Sequence, residues 1–175
     1  MKIAVIGYAS AGKSTFSKRL GQTLNIPVLH IDTISFEAHW VERNRQQVER
    51  DMRSFMTHDS WVLDGSYMQL APERFDMADQ IFVFQFNRFR CLMGSLHRWF
   101  KYRHQVRDSV CKDCKEHLSL SFMWWILFSG RTKKRRNLFK KIEKTYHQKV
   151  IVFKNHKQVH AYLRKIGYKG TLKYE

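Results

Sequence analysis

The pattern G-x-x-x-x-G-K-[ST] occurs near the start of the chain, where Gly7 is followed by Gly12, Lys13 and Ser14. Glycines at these positions let the backbone approach an anion closely, and successive N–H groups then face that anion. A lysine here can reach the β- and γ-phosphates of a nucleotide, and the next hydroxyl can ligate Mg²⁺. The pattern therefore predicts a site for ATP and Mg²⁺, formed by Gly7, Tyr8, Ala9, Ser10, Ala11, Gly12, Lys13, Ser14 and Thr15.

The residues on both sides of this loop support the prediction. Residues 2–6 are a short apolar run typical of a buried parallel strand. From Lys13 onward, Phe16, Leu20 and Leu24 recur at helical spacing. A strand, a glycine loop and a helix in this order are the context that phosphate binding requires. The alternative is an ordinary glycine turn between a strand and a helix.

Two carboxylates follow later strands of the same sheet. Asp64 ends the apolar run Trp61-Val62-Leu63, and Asp32 follows the run 27–31. The carboxyl ends of parallel strands meet at one edge, so we expect both to lie beside the glycine loop. Asp64 would hold the Mg²⁺ shell or orient an acceptor, and Asp32 would accept a hydrogen bond from an acceptor hydroxyl or act as a base. Turn or helix-capping roles are the alternative for both.

Four further side chains are candidates for acceptor binding. His30 precedes Asp32, although a lone histidine at a strand end is more often structural. Trp40, Tyr67 and Arg74 could frame an acceptor. The two aromatic residues could instead be ordinary core or rim residues, and Arg74 could pair with a neighbouring carboxylate on the surface.

The stretch HRWFKYRHQVR carries Arg98, Arg103 and Arg107. Phosphoryl transfer places charge on the equatorial oxygens, and arginines on a moving segment stabilise that charge. We therefore predict a catalytic role for these residues, against the alternative of a solvated basic helix. A second cluster, of which one member could reach the phosphates, consists of Arg131, Arg135 and Arg136.

Cys111 and Cys114 form a C-x-x-C pair with His117 and His104 nearby, which resembles half of a zinc site. A structural zinc ion needs four ligands, so reduced cysteines are the alternative. Three cysteines, an odd number, argue against a disulfide framework. The longest apolar run, 122–128, is too short to span a bilayer and fits a buried helix or a cover for an active site. The N-terminal residues predict a core strand and not a signal peptide, so we expect a cytoplasmic protein.

Charge is spread unevenly along the 175 residues. Residues 1–80 hold nine Lys or Arg and ten Asp or Glu, whereas residues 88–149 hold seventeen Lys or Arg and four Asp or Glu. The net charge of the whole chain is +17. An arginine-bearing lid over a polyphosphate would use some of these cations, and a nucleic-acid face would use more of them. A merely solvated basic surface is the third interpretation.

The arrangement of elements predicts one α/β domain over residues 1–175. Five short strands, near 2–6, 27–31, 61–63, 81–86 and 150–153, alternate with helices, including an amphipathic one within 41–58 and a last one near 156–166. This alternation predicts a three-layer fold with a five-stranded parallel sheet. The segment at about 98–130 fits the rhythm worst, so we interpret it as an insertion or helical lid.

These motifs together resemble the adenylate-kinase-like P-loop kinases, over nearly the whole chain. Within that group the chain is most similar to the bacterial DNA topology modulation (FlaR-type) proteins. The matching stretches are IGYASAGKST, NIPVLHID, Trp40, WVLDGSY, the run from Asp79 through FQFNRFRCL to Arg98, and VIVF with its closing helix.

The resemblance implies a sheet ordered 2-3-1-4-5, ATP with Mg²⁺, and an acceptor near Asp32, Asp64 and Tyr67. It implies that Arg98 packs on adenine or contacts phosphates, and that Asn155 and His156 lie near the adenine. Adenylate kinases carry Asp-Gly-Phe-Pro-Arg after the third strand, and this chain has DGSY without that arginine, so AMP is not implied as acceptor.

Two functions follow as hypotheses. The first is a small-molecule kinase that transfers the γ-phosphoryl group of ATP to an unidentified acceptor. The alternative is an ATP-dependent DNA-binding regulator that uses the basic 88–149 region. The sequence is compatible with a monomer or a dimer.

Overall fold

The structure is a computed structural model, and it describes residues 1–102, 108–111, 114 and 118–172. In this part of the chain the strands are β1 (Lys2–Gly7), β2 (Val28–His30), β3 (Phe36–Glu37), β4 (Val41–Glu42), β5 (Trp61–Asp64), β6 (Gln80–Phe84) and β7 (Val150–Phe153). The α-helices are α1 (Lys13–Leu24), α2 (Ile31–Ser35), α3 (Arg45–Met56), α4 (Arg74–Met77), α5 (Arg88–Tyr102), α6 (Leu120–Leu127), α7 (Lys133–Thr145) and α8 (His156–Lys165). Short 3-10 helices cover Ala38–Trp40 and Ser129–Arg131.

Five strands form a parallel sheet in the order β2-β5-β1-β6-β7. Counted along the chain without the small hairpin β3–β4, this order is 2-3-1-4-5, as predicted. Because β1 is central, the glycine loop that follows it emerges in the middle of the carboxyl edge, between the ends of β5 and β6.

The sheet is covered on both faces, and the alternation of side chains along β1 shows how. Ala4 and Ile6 point to one face and contact a core that includes Val48 and Met52 of α3 and Phe139 of α7. The other face packs against α1, α5, α6 and α8. The core between this face and those helices includes Ile3, Val5, Phe16, Leu20, Phe82, Val159 and Leu163. The predicted three-layer α/β fold is therefore confirmed.

The region between β2 and β5 differs from the sequence interpretation. The amphipathic helix expected in 41–58 is present as α3, but it begins only at Arg45, where the Asn44 side chain accepts a hydrogen bond from the Gln46 N–H. Residues 36–42 form an antiparallel hairpin instead, with Phe36 opposite Glu42. The turn passes through His39 and Trp40, whose φ angles are 61° and 63°. Val41 is exposed here and does not extend the apolar face of α3.

Candidate active site

The glycine loop has the backbone conformation that its motif predicts. Gly7 has a φ angle of 140°, and a Cβ atom there would overlap the backbone of Phe84 on the neighbouring strand. The Tyr8 N–H donates to the Phe84 carbonyl at 3.0 Å. Gly12 has a φ angle of 84° and caps the N-terminus of α1. The loop is thus held against β6, while the first turn of α1 presents unpaired N–H groups, which favour an anion.

Lys13 lies at the centre of the charged groups. Its ammonium group donates a hydrogen bond to the Tyr8 carbonyl at 2.8 Å. Burial lowers the pKa of Lys13, while the carboxylates of Asp64 and Asp32 act in the opposite direction. The structure therefore brings Lys13 within electrostatic range of both predicted carboxylates, as expected for strand ends that meet at one edge.

Of the two carboxylate oxygens of Asp64, only one has a hydrogen-bond partner among the described residues. Asp64 is 3% exposed, and its Oδ2 atom lies 2.8 Å from the Nδ1 atom of His30. Its other oxygen, Oδ1, is buried and has no hydrogen-bond partner among the described residues. A buried carboxylate oxygen without a donor is costly unless a cation or a polar ligand completes it. The predicted role of Asp64 at a Mg²⁺ shell fits this observation, and His30 orients the carboxylate.

Ser66 joins the two loops and was not singled out by the sequence. Its hydroxyl donates to the Gly7 carbonyl at 2.6 Å and accepts from the Gly7 N–H at 2.9 Å. Two hydrogen bonds therefore connect the first residue of the glycine loop to the segment that follows β5. A serine after Asp-Gly carries no motif signal of its own, because its partner lies 59 residues away in the chain.

Asp32 forms the acceptor side of the cleft together with aromatic residues. The Tyr67 hydroxyl donates to Asp32 Oδ1 at 2.8 Å. Burial and the Asp32 charge raise the pKa of Tyr67, so its hydroxyl stays protonated as a donor. Trp40 packs edge-on against Phe36 in the hairpin, with ring centroids 5.4 Å apart. Asp32, Phe36, Trp40 and Tyr67 all line the cleft.

Arg74 is not brought to the cleft, in contrast to the prediction. It is 1% exposed, and its guanidinium group donates to the carbonyls of Leu70 and Gly65 at 3.2 and 3.3 Å. It also lies over the Phe75 ring. Burial lowers the pKa of Arg74 to about 10. Arg74 therefore stabilises the loop after β5 by binding its carbonyl groups, and it does not line the cleft.

The predicted arginines of the insertion are only partly within the described structure. Arg98 lines the cleft from α5, with its guanidinium 5.8 Å from the centre of the Phe122 ring. Arg103 and Arg107 lie outside the described residues. Arg135 lines the cleft and lies 5.1 Å from the Trp125 ring centre, whereas Arg131 is directed at the Tyr8 ring at 3.8 Å. The predicted arginines that line the cleft, Arg98 and Arg135, thus come from α5 and α7.

Asn155 and His156 have different roles. Asn155 caps α8, because its side chain accepts a hydrogen bond from the Gln158 N–H at 3.1 Å, and it does not line the cleft. His156 lines the cleft and packs edge-on against Phe86 at 4.7 Å. A Cβ atom on Gly12 would lie 3.6 Å from its ring. Burial lowers the pKa of His156 to about 4, so its ring is neutral at physiological pH.

Reduced cysteines were the alternative to a zinc site at the C-x-x-C pair, and the structure does not bear this alternative out. Cys111 and Cys114 are joined as a disulfide and pack on Phe36 of the hairpin, while Cys91 is free and buried. This single bridge is not a disulfide framework. His104 and His117 lie outside the described residues, and within the described part of the chain no group of three or more His, Cys, Asp or Glu could hold a metal ion.

The cleft has a volume of about 1370 Å³ and reaches from the glycine loop to the hairpin. Phe122 and Trp125 of α6 line it, so the apolar segment 122–128 contributes to its wall. α5 lies directly on the glycine loop, because a Cβ atom on Gly94 would come within 2.5 Å of the Ser10 carbonyl oxygen. Among the described helices, none is both long enough and apolar enough to cross a membrane.

Comparison with known proteins identifies the fold. No protein-family model matches the chain, and none of the curated proteins is similar to it. The shikimate kinase of Bacteroides thetaiotaomicron is similar in structure, with a TM-score of 0.50, 14% sequence identity and 95% of each chain covered. The shikimate kinase of Aquifex aeolicus gives a TM-score of 0.47 and 16% identity, over 95% of this chain and 93% of that chain. The likeness to the Bacteroides protein shows that the chain has the fold of a shikimate kinase.

Proposed function

We propose that this chain is an ATP-dependent kinase that phosphorylates a small-molecule acceptor. The observation that carries the proposal is the placement of Lys13, Asp64 and Asp32 in one cleft at the carboxyl ends of β1, β5 and β2. A lysine on a glycine loop binds phosphates, and carboxylates beside it serve a metal ion and an acceptor. The shikimate-kinase fold supports this interpretation as an analogy of architecture.

The residues present fit a magnesium-bound triphosphate. The glycine loop offers backbone N–H groups, Ser14 offers a hydroxyl, and Asp64 offers the carboxylate oxygen that has no partner among the described residues. Mg²⁺, when bound there, would neutralise phosphate charge. Lys13 would bind the β- and γ-phosphates, and Arg98 and Arg135 would offset the charge that develops on the transferred group.

The acceptor would bind on the Asp32 side. Its hydroxyl oxygen forms the new bond to the γ-phosphorus, the bond between that phosphorus and the bridging oxygen breaks, and the electron pair leaves with ADP. The Asp32 carboxylate accepts the proton of the hydroxyl. Closure of the 98–130 segment over the cleft would exclude water and limit hydrolysis of ATP.

Replacement of Lys13 tests the proposal directly. Lys13→Ala removes the cation that contacts the phosphates, so calorimetry should show at least about a hundredfold loss of affinity for ATP and Mg²⁺. Lys165→Ala, an exposed lysine of α8 outside the cleft, is the matched control and should bind ATP normally. Equal affinity in both variants would remove the glycine loop from the mechanism and with it the proposed kinase.

A second candidate function, an ATP-dependent DNA-binding regulator, has support from α7. Its outward face carries six exposed cations, none of which forms an ion pair with another described residue. They are Lys133, Lys134, Arg136, Lys140, Lys141 and Lys144. Such a face suits a polyanion, and contacts to phosphates make binding weaken steeply with salt. The narrower relation to the DNA topology modulation proteins is part of this candidate and is likewise a proposal.

Filter binding of duplex DNA tests the second candidate. We expect affinity to fall by at least about tenfold between low and physiological salt, and to fall similarly when Lys133, Arg136 and Lys140 are changed to alanine. The triple variant should bind ATP normally, since these residues do not line the cleft. No binding of the unchanged protein to DNA at low salt would end this candidate.

A further inference from the structure

The side chains that line the cleft are divided by charge. On the side of the glycine loop, α5 and α7, the lining cations include Lys13, Arg90, Arg98 and Arg135. Among the described residues of the glycine loop, α5 and α7, no carboxylate lines the cleft. A polyphosphate is the ligand whose charge matches such a wall.

The opposite wall is formed by residues 30–67 and has the reverse character. Its lining side chains are mostly acidic or aromatic, with His30 and Ser66 beside them, and none of the described residues of this wall that line the cleft is a lysine or an arginine. The two carboxylates are Asp32 and Asp64. The aromatic residues are Phe36, Trp40 and Tyr67.

Three arginines that are near this wall in sequence are bound elsewhere. Arg43 donates to the Ile34 carbonyl at 2.7 Å and to Asp51 at 3.0 Å. Arg53 donates to Glu73 at 2.7 Å. Arg74 is buried against the carbonyls of Gly65 and Leu70. None of these arginines lines the cleft.

One lysine of α1 comes near the acceptor side, but it is already paired. Lys18 lies 2.7 Å from Asp108 and lowers the pKa of that carboxyl. The pair therefore brings no net positive charge to this side. Lys13 is the described cation within electrostatic range of Asp32 and Asp64, and in the proposed function it is committed to the phosphates of ATP. An anionic acceptor would then face the two carboxylates with no described lysine or arginine on its own wall, which is unfavourable.

We infer that the acceptor is a hydroxyl compound without an anionic group, whose apolar face packs on Trp40 and Phe36 while its hydroxyl meets Asp32. This inference rests on the proposed kinase function and narrows its substrate class. It excludes nucleoside monophosphates and hydroxy acids, including the substrate class of an acid such as shikimate, despite the shared fold. The transferred group and the proton follow the path given above, from ATP to the hydroxyl oxygen and from the hydroxyl to Asp32.

Matched pairs of compounds test the inference. Adenosine and AMP, glycerol and glycerol phosphate, ethanolamine and phosphoethanolamine, and methyl shikimate and shikimate differ within each pair by an anionic group. We expect ADP release above the water background with at least one uncharged or cationic member, and at least about tenfold less with its anionic partner. Stimulation by the anionic members, by both equally, or by no compound would overturn the inference. The ethanolamine pair also separates cationic from neutral acceptors.

A pair of hairpin variants provides a readout that does not depend on turnover. Trp40→Arg adds a cation to the acceptor wall, whereas Val41→Arg adds one to an exposed hairpin residue outside the cleft. With a non-hydrolysable ATP analogue bound, calorimetry should show the affinity for AMP relative to adenosine rising at least about tenfold in Trp40→Arg only. An unchanged ratio would show that the acceptor does not contact this wall.

The two proposals can fail separately. Binding of the ATP analogue by the unchanged protein, and its loss in Lys13→Ala, report on the kinase function alone. If that binding is intact and anionic acceptors are nevertheless preferred, the kinase proposal stands and the inference about acceptor charge is wrong. If the analogue does not bind, both are wrong.

Discussion

At the scale of single residues, the side chains of the glycine loop could be predicted because their roles depend on local backbone geometry. The spacing of Gly7, Gly12 and Lys13 prescribes the path of the loop, and the structure has that path. Ser66 and Arg74 could not be interpreted in this way. Ser66 acts on a residue that is distant in the chain, and the burial of Arg74 depends on how the loop after β5 packs on the sheet.

His156 gives a residue-scale prediction for pH dependence. Its pKa is lowered to about 4, chiefly by burial, with His160 and Arg90 contributing. The unfolded chain therefore binds more protons than the folded one between pH 6.5 and about 4, so the free energy of unfolding falls as pH falls through this window. The unfolding free energy lost on going from about pH 7 to about pH 5 should therefore be smaller in His156→Phe by about 1 kcal/mol, after allowance for the partial exposure of the ring.

Urea unfolding at the two pH values measures this effect. His160→Gln is the comparison variant, because the pKa of His160 is also lowered by burial but its ring does not line the cleft. If His156→Phe and the unchanged protein lose the same stability on acidification, the ring at position 156 is not held neutral by the fold.

At the scale of elements, the five strands of the sheet were predictable and the hairpin was not. Runs such as 2–6 and 150–153 are continuously apolar but too short for a helix, which is the pattern of a buried strand, and the structure has strands there. The hairpin has strands of two residues each and turns through His39 and Trp40 without a glycine. Its turn has no sequence signal, and tertiary contacts with Val110 and Cys114 support it instead.

The packing of α5 on the glycine loop gives an element-scale prediction. A Cβ atom on Gly94 would lie 2.5 Å from the Ser10 carbonyl oxygen, so Gly94→Ala must move the helix or the loop. By helix propensity alone, alanine would stabilise α5 by about 1 kcal/mol. We expect the opposite, a loss of about 1–3 kcal/mol with weaker ATP binding, measured by urea unfolding and calorimetry. A more stable variant with unchanged affinity would mean that α5 does not rest on the loop.

At the scale of the whole molecule, the net charge of +17 is not one uniform field. Composition predicted the basic region 88–149 but could not divide its cations between the cleft and the outer surface. α7 shows the division clearly: Arg135 lines the cleft, whereas Arg136, the next residue, is exposed. Only the position of the helix on the sheet decides which side chain faces the cleft.

This division predicts how salt affects ATP binding. Because Arg135 faces the cleft, Arg135→Ala should weaken binding and reduce its dependence on ionic strength between about 0.05 and about 0.5 M. Arg136→Ala removes the same charge from the outer face and should leave both quantities unchanged within about twofold. Calorimetric titration with ATP and Mg²⁺ distinguishes the two. Equal effects would mean that the overall charge, and not the cleft, governs affinity.

The double hydrogen bond between Ser66 and Gly7 has a consequence for anyone who redesigns this cleft. Engineering of the segment after β5 would disturb the first residue of the glycine loop, so selectivity and nucleotide use would change together. The hairpin β3–β4 belongs to a separate two-stranded sheet and contributes Phe36 and Trp40 to the cleft. Mutagenesis libraries aimed at new acceptors should therefore vary the hairpin and leave Ser66 intact.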